Sequence, residues 1–492
     1  MNIKKYLLLI SFASIIIISN NTPVISQNNT TYWMQHLPQA TYQNPAKQTG
    51  CKIFIDLPLI PNFDINLGHS GFTVNDAIKP KPYTVDSFMI DLDGIEKALK
   101  DNNNINFETN FSIINASITL KNDMNISFGI NYKGSEYFKY PKALIEIRRG
   151  NYRENGTPLS FDFNQNFILY REIYAGVSKK INENLNVGGR LKFLTGYGNL
   201  KSSTLKIDWY TNTDDDGMYE WTFISDIDMK SASVIPWDFT YDDDGYINDI
   251  DVDTSRTDDP SLYTFPENTG FGIDLGIEYK INDRLNLSAA LTDFGFIKWK
   301  TSPKIMTQKA EFIFDGVDIS KYINSLDDIT GDNSSLADDI EEDIIDTVLT
   351  VFNPDIEDAT YTTGLNSKIY LGADFKITNN FDLGLLYKGM FVNNSLISSY
   401  TLSANTNFFK AWSFSLSYSL MNSSANNLGL GFAYKIGPFQ MYIVSDNIAA
   451  PFWAANESDF SDDWIKNTKT INLSFGMHFL ICGNNKDIGL ME

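Results

Sequence analysis

The sequence predicts an all-β protein, a transmembrane antiparallel up-and-down β-barrel of about fourteen strands, within a range of twelve to sixteen. Three observations predict it. First, segments such as "KAWSFSLSYSL" (410–420) alternate large apolar residues with serines. Trp412, Phe414, Leu416, Tyr418 and Leu420 fall on one face of a strand, and Ser413, Ser415, Ser417 and Ser419 on the other. Second, tight turns alternate with long connections along the chain, the asymmetry of outer-membrane barrels; a soluble sandwich has no reason to segregate its loops that way. Third, no stretch of about 20 apolar residues follows the first thirty positions, which excludes helical membrane spans.

Residues 1–26 read as a secretory signal peptide. Lys4 and Lys5 precede an apolar run from Tyr6 to Ile18, and Val24, Ile25 and Ser26 supply a small-residue cleavage pattern. No cysteine stands near that point, so a lipid anchor is not expected. The formal net charge of −22 argues against nucleic acid, and against an anionic surface unless divalent cations intervene.

The barrel is expected over 51–482, with a periplasmic tail at 483–492. Its strands are read at 51–69 (broken by Pro58 and Pro61), 107–120, 124–133, 161–179, 184–197, 270–281, 285–300, 366–377, 381–392, 396–407, 411–421, 427–436, 439–448 and 470–481. "KKINENLNVGGR", "YKINDRLNLSAA" and "FKITNNFDLGLL" each end one strand on a basic residue and isoleucine and turn on Asn or Asp. Those side chains tolerate the left-handed conformation that short hairpins need. Short turns follow the even-numbered strands, and every long connection follows an odd one. An even strand count leaves both termini on the short-turn rim, the periplasmic one.

Parity assigns the two faces. Leu383, Leu385 and Tyr387, Leu428, Leu430 and Phe432, and Leu473, Phe475 and Met477 point outward. Arg190, Lys192, Asp274, Glu278, Lys368, Asp374, Asp382, Lys388, Lys435 and His478 point into the lumen. Mixed charge there implies a wet or salt-bridged interior, because an Arg or Lys facing lipid at the midplane costs about 2–4 kcal/mol. The second strand alternates poorly, and Asp293 falls on the lipid side unless a bulge near "TDFGF" restores register.

The long connections 198–269 and 301–365 are acidic and expected outside the cell. Asn212, Asp214, Asp216 and Glu220 surround Gly217 with the opening spacing of a calcium loop, and Asp242 and Asp244 repeat the theme before Gly245. Neither has the closing glutamate, so tight Asp-Gly turns compete with weakly bound calcium; no other cofactor is expected. In 335–354, Leu336, Ile340, Ile344, Ile345, Val348, Leu349 and Phe352 recur at helical spacing between a Ser335 cap and Pro354. A helix over the barrel mouth competes here with a helix that binds a partner.

Catalysis is not expected. His36, His69 and His478 are the only histidines, none lies in a metal or nucleophile motif, and His478 reads as a wall residue. The two cysteines, Cys51 and Cys482, sit at the periplasmic ends of the first and last strands, where closure could let a disulfide staple the seam. Parity argues the other way: Cys51 aligns with outward Ile53 and Ile55, Cys482 with inward His478.

The segments "YWMQHLPQATYQNPAKQTGCKIFIDLP" (32–58), "GHSGFTVNDAI" (68–78) and "LTDFGFIKWK" (291–300) together resemble a family of Bacteroidota outer-membrane barrels that carries a domain-of-unknown-function label. A more distant resemblance is to the FadL-type fatty-acid transporters, and it implies fourteen strands around an N-terminal hatch. Asn44, Pro45 and Ala46 resemble the "NPA" of that hatch, so residues 27–50 are expected as a periplasmic or lumenal plug. The chain departs from the usual outer-membrane ending, because "CGNNKDIGLME" runs past the last strand.

These readings imply a barrel in the outer membrane of a Gram-negative bacterium, surrounded by lipid, that passes a small hydrophobic molecule without covalent chemistry. The alternative is a non-transporting barrel that serves protein secretion, outer-membrane assembly or surface anchoring through a protein partner on its long loops.

Overall fold

A computed structural model describes residues 29–34, 37–57, 61–81, 87–213, 217–235, 237–241, 245–252, 264, 266–316, 351–393, 395–409, 411–421, 424–448 and 468–482. The signal peptide, His36, the calcium candidates Asp214, Asp216, Asp242 and Asp244, most of the 335–352 helix and the 483–492 tail lie outside these residues.

Fourteen antiparallel strands close into one barrel. They are β1 (Ile53–Asp56 and Phe63–His69), β2 (Asn102–Thr119), β3 (Met124–Pro141), β4 (Asn164–Asn182), β5 (Leu185–Thr213), β6 (Thr269–Lys280) and β7 (Leu285–Trp299). The second half is β8 (Tyr361–Gly364 and Lys368–Thr378), β9 (Phe381–Val392), β10 (Ser395–Phe409), β11 (Trp412–Met421), β12 (Ser424–Ile436), β13 (Phe439–Ser445) and β14 (Thr470–Ile481). β1 pairs with both β2 and β14, with Ile53 opposite Ile118 and Ile481, so no free edge is left. Connections after the even-numbered strands span two to four residues, and the long ones gather at the other rim.

Side chains follow the pleat. In β11 the outward Leu416, Tyr418 and Leu420 are 49%, 43% and 49% exposed, whereas Ser415, Ser417 and Ser419 are buried inside. An outer surface of this kind, with Leu385, Leu402, Leu430 and Ile443 also open, is stable in hydrocarbon rather than water.

Two bulges repair the pattern where parity fails. In β2 the register shifts between Ser112 and Ile114, which puts Ile113 outside and returns Asn115 to the lumen. Between β6 and β7 it shifts opposite Asp293, whose φ of 55° marks the extra residue; the side chain turns inward and is buried.

Cys51 and Cys482 form a disulfide across the seam, with a Cα–Cα distance of 4.0 Å. The parity objection does not apply, because strand pairing ends at Ile53 and Ile481 and both cysteines lie just beyond, where side chains no longer alternate.

The 198–269 connection is less of a loop than the sequence suggests. Strand β5 continues to Thr213, because "TLKIDWYT" keeps alternating, and pairs beyond the barrel with Tyr219–Ser233. Leu159–Asp162, Lys304–Phe314 and Asp355–Glu357 widen this into a five-stranded sheet standing on the rim of the long connections. The 70–101 connection carries a helix at Leu92–Ala98, which Arg148 grips through Asp93 and Glu96.

Candidate functional site

Residues 29–34 and 37–50 pack against the inward side of the barrel wall. The start of this segment is held by one carboxylate: the Asn29 and Thr30 amides and the Thr30 hydroxyl all donate to Asp446 at the end of β13. The Asn29 amide group also donates to Ser399 and Thr401 of β10 at 3.1 and 3.0 Å. These hydroxyls and those of β11 are the polar wall of the serine-alternating strands, and they serve as hydrogen-bond partners for buried backbone and side chains.

Tyr32 and Trp33 come next, both buried, in a cluster with Ala290, Tyr370 and Leu386. Tyr32 stacks on Tyr370 with centroids 5.7 Å apart, and its hydroxyl meets Ser288 Oγ at 2.8 Å. The Lys47 ammonium donates to the Tyr32 carbonyl at 2.7 Å, lies 4.1 Å from the Tyr32 ring centre and faces Glu278 at 3.9 Å. Asn44 Oδ1 accepts from the Ala46 amide at 3.0 Å, a turn closed by the side chain, while Asn44 Nδ2 donates to Tyr32 Oη and the Ile277 carbonyl.

The wall makes room for this segment with glycine. A Cβ at Gly372 or Gly384 would come within 2.9 or 2.7 Å of the Trp33 ring. One at Gly188 would lie 2.2 Å from the Pro45 carbonyl, and one at Gly276 2.1 Å from Asn44 Oδ1. Backbone and segment therefore touch directly, as Gly permits.

Above it lies a charged layer. Asp293 Oδ1 accepts from Lys192 at 2.7 Å and Lys133 at 2.9 Å, and Lys368 stands 3.9 Å away. Lys192 also reaches Asp274 at 2.7 Å and Glu172 at 3.2 Å; Lys368 pairs with Glu108 at 2.9 Å. Arg190 faces Asp274 at 3.9 Å and donates to Thr41 of the inner segment at 2.9 Å, which ties the two layers together. A polar cavity of about 110 Å³ remains between them, lined by Gln39, Tyr42, Glu108, Lys133, Asp293 and Lys388 among others.

The lumen is apolar toward the rim of the long connections. Ile168, Tyr170, Leu194, Ile297, Trp299 and Tyr361 form one buried cluster, and Tyr137, Met390, Val392 and Ile397 another. Polar contacts cross the lumen beside them, Asn166 to Asn366 at 3.2 Å and Asn366 to Ser135 at 2.9 Å. These join β3 and β4 to the β7–β8 side of the barrel.

The ten residues assigned to the lumen stand in different company. Arg190, Lys192, Asp274 and Lys368 share the charged layer, and Glu278 meets Lys47. Asp374 accepts from Asn286, Asp382 from Asn405, Lys388 lies over the Tyr370 ring at 5.6 Å, and His478 meets Gln440 at 2.7 Å. Lys435 reaches Cys482 Sγ at 2.8 Å. Of the calcium candidates, Asn212 and Glu220 are paired across the hairpin tip, where Asn212 donates to Thr222. Sequence reasoning missed the inward Glu108, Lys133 and Glu172, which parity over β2 to β4 would have found, Asp446, which lies inside the strand read at 439–448 but just past the end of β13, and Tyr32 and Trp33, which carry no strand signal.

The fold is a closed, fourteen-stranded antiparallel β-barrel. The chain belongs to the family of unknown function DUF5723, which it matches over residues 45–446. It is similar to several solved barrels. The toluene transporter TbuX of Ralstonia pickettii is 9% identical, covering 90% of this chain and 94% of that one, with a TM-score of 0.37. A Pseudomonas aeruginosa FadL homologue is 9% identical (94% and 100% covered, TM-score 0.38), and the Pseudomonas putida toluene transporter TodX 8% (91% and 94%, TM-score 0.38). No curated protein matches the chain.

Proposed function

We propose that this is an outer-membrane barrel for passive uptake of a small apolar molecule, with residues 29–50 as its plug. The observation that carries the reading is the order of the layers: apolar side chains under the outer mouth, and a fitted, separately anchored segment below. An apolar molecule gains by displacing water at the upper layer. The charged chamber lies on the path below it and makes transit the costly step, because parting its ion pairs leaves buried charges without partners. Capture at the outer loops is followed by passage beside the plug around Asn44, Pro45 and Ala46, and release through the wall or the periplasmic mouth. Deleting residues 28–46 from a correctly inserted protein is expected to change uptake of a radiolabelled monoaromatic or alkane; unchanged uptake would sink the proposal.

A second reading rests on the projecting sheet. At 29 residues, β5 is about three times the roughly 10 residues a barrel strand needs, and a pore has no use for that mass outside. A protein partner cross-linked to 198–233 and lost when that hairpin is trimmed would favour a secretion, assembly or anchoring role.

A further inference from the structure

We propose that the outer wall carries a binding site for a single lipid acyl chain, in a depression across β6–β10. Its volume is about 480 Å³ and its lining is almost wholly apolar. The depression follows from side-chain size in register. Ala289 stands opposite Leu371, and Ala373 opposite Leu287 and Leu385, so two alanines on a diagonal leave a low floor among full-height neighbours. Tyr279 bounds it on β6, Tyr387 and Tyr400 on β9 and β10. The far rim is fixed, since the Tyr387 hydroxyl meets Ser398 Oγ at 3.1 Å and its ring lies 5.3 Å from that of Tyr400.

The occupant follows from what the depression is continuous with. Tyr279 and Leu385, 48% and 50% exposed, belong to the outward belt whose surroundings are hydrocarbon. A void there forfeits dispersion contacts on one side, and a flexible methylene chain is the part of the solvent that can follow a narrow floor. A second copy of the barrel fits poorly, because a two-fold interface centred here would set one hollow against another.

The site has a consequence for the lumen. Alternate residues of the same strands face inward and hold the plug: Ser288 meets Tyr32, Tyr370 stacks on it, and Gly372 and Gly384 touch Trp33. One sheet thickness separates the acyl chain from the plug's aromatic anchor, so the chain braces the wall where that anchor rests.

This inference rests on the proposed membrane setting and not on uptake. The test is native mass spectrometry of protein returned from detergent to phosphatidylethanolamine, paired with bromine imaging of the wild type in lipid brominated on its acyl chains. One lipid is expected to survive activation longest. The A289F/A373F variant, which fills the floor, is expected to lower that one-lipid population about tenfold, equivalent to about 1.4 kcal/mol, while L430F on β12, outside the depression, leaves it unchanged. Leu385→Ala, which lowers a rim without adding atoms, is expected to weaken retention should the double variant misassemble, and bromine is expected above Ala289 and Ala373. Equal retention by wild type and A289F/A373F, bromine elsewhere only, or loss of a dimer instead of a lipid overturns the site. Wild type that stays monodisperse without detergent or lipid overturns the membrane setting itself.

Discussion

Trp33→Ala is the sharpest probe of the proposed plug. Trp33 is 2% exposed, packs edge-on to Tyr32 with centroids 5.0 Å apart, and rests on two glycines whose missing side chains shape its berth. Truncating a buried Trp costs about 3–5 kcal/mol, and the barrel pairing does not depend on this residue, so the cost falls on the equilibrium between seated and released segment. At about 1.4 kcal/mol per tenfold, that shifts the equilibrium by roughly two to three and a half orders of magnitude. The native cysteines are bridged, so Ser403→Cys, buried on the inner face beside Gly384, gives a single reporter thiol. Its labelling by a membrane-impermeant maleimide is expected to accelerate by at least about a hundredfold in Trp33→Ala, and much less in Trp33→Phe, which keeps most of the ring contact. Heat-modified gel mobility checks that the barrel stays closed. A labelling rate in Trp33→Ala equal to the parent's would refute the assignment of the segment as a separately seated element.

Three further outcomes follow from the same geometry. Gly372→Val places a side chain within 2.9 Å of the Trp33 ring and away from residue 403, so it is expected to raise Ser403→Cys labelling as Trp33→Ala does while the barrel's denaturation midpoint stays close to that of wild type. Asp293→Asn leaves Lys133, Lys192 and Lys368 short of their shared carboxylate and is expected to cost about 3–5 kcal/mol in urea unfolding; Asp293→Leu combined with Lys192→Leu is expected to cost less than the sum of the two single changes. Reduction of the Cys51–Cys482 bridge, which spans a sequence separation of 431, removes a constraint that chain entropy values at about 6 kcal/mol at most. The midpoint is expected to fall on adding reductant to wild type and not to respond in C51S/C482S.

How far the sequence carries this protein depends on which physical rule sets each feature. Strand number and turn placement were legible because a closed sheet between lipid and lumen forces a period of two, and tight hairpins force Asn, Asp or Gly at their tips. Ten of the fourteen strands fall within a few residues of their expected positions, and β2, β3, β5 and β8 run on further at the rim of the long connections. The Asp293 bulge was legible for the same reason: a carboxylate on the lipid face is costly enough that a register break is the cheaper solution. The disulfide stays open in the sequence because the parity that argues against it holds only as far as the last paired residues. The candidate site was half legible. Inward charge is a parity statement and could be read strand by strand, but which ions meet across the lumen depends on the closure of the whole barrel, as with Lys133 of β3 and Asp293 of β7. The segment 29–50 obeys no period at all. Its position is encoded in Gly188, Gly276, Gly372 and Gly384, strand residues that weaken the wall by leaving side chains out. A barrel that had only to close would place larger residues there, so the inward glycines of β5, β6, β8 and β9 are the part of the sequence that specifies an occupied lumen.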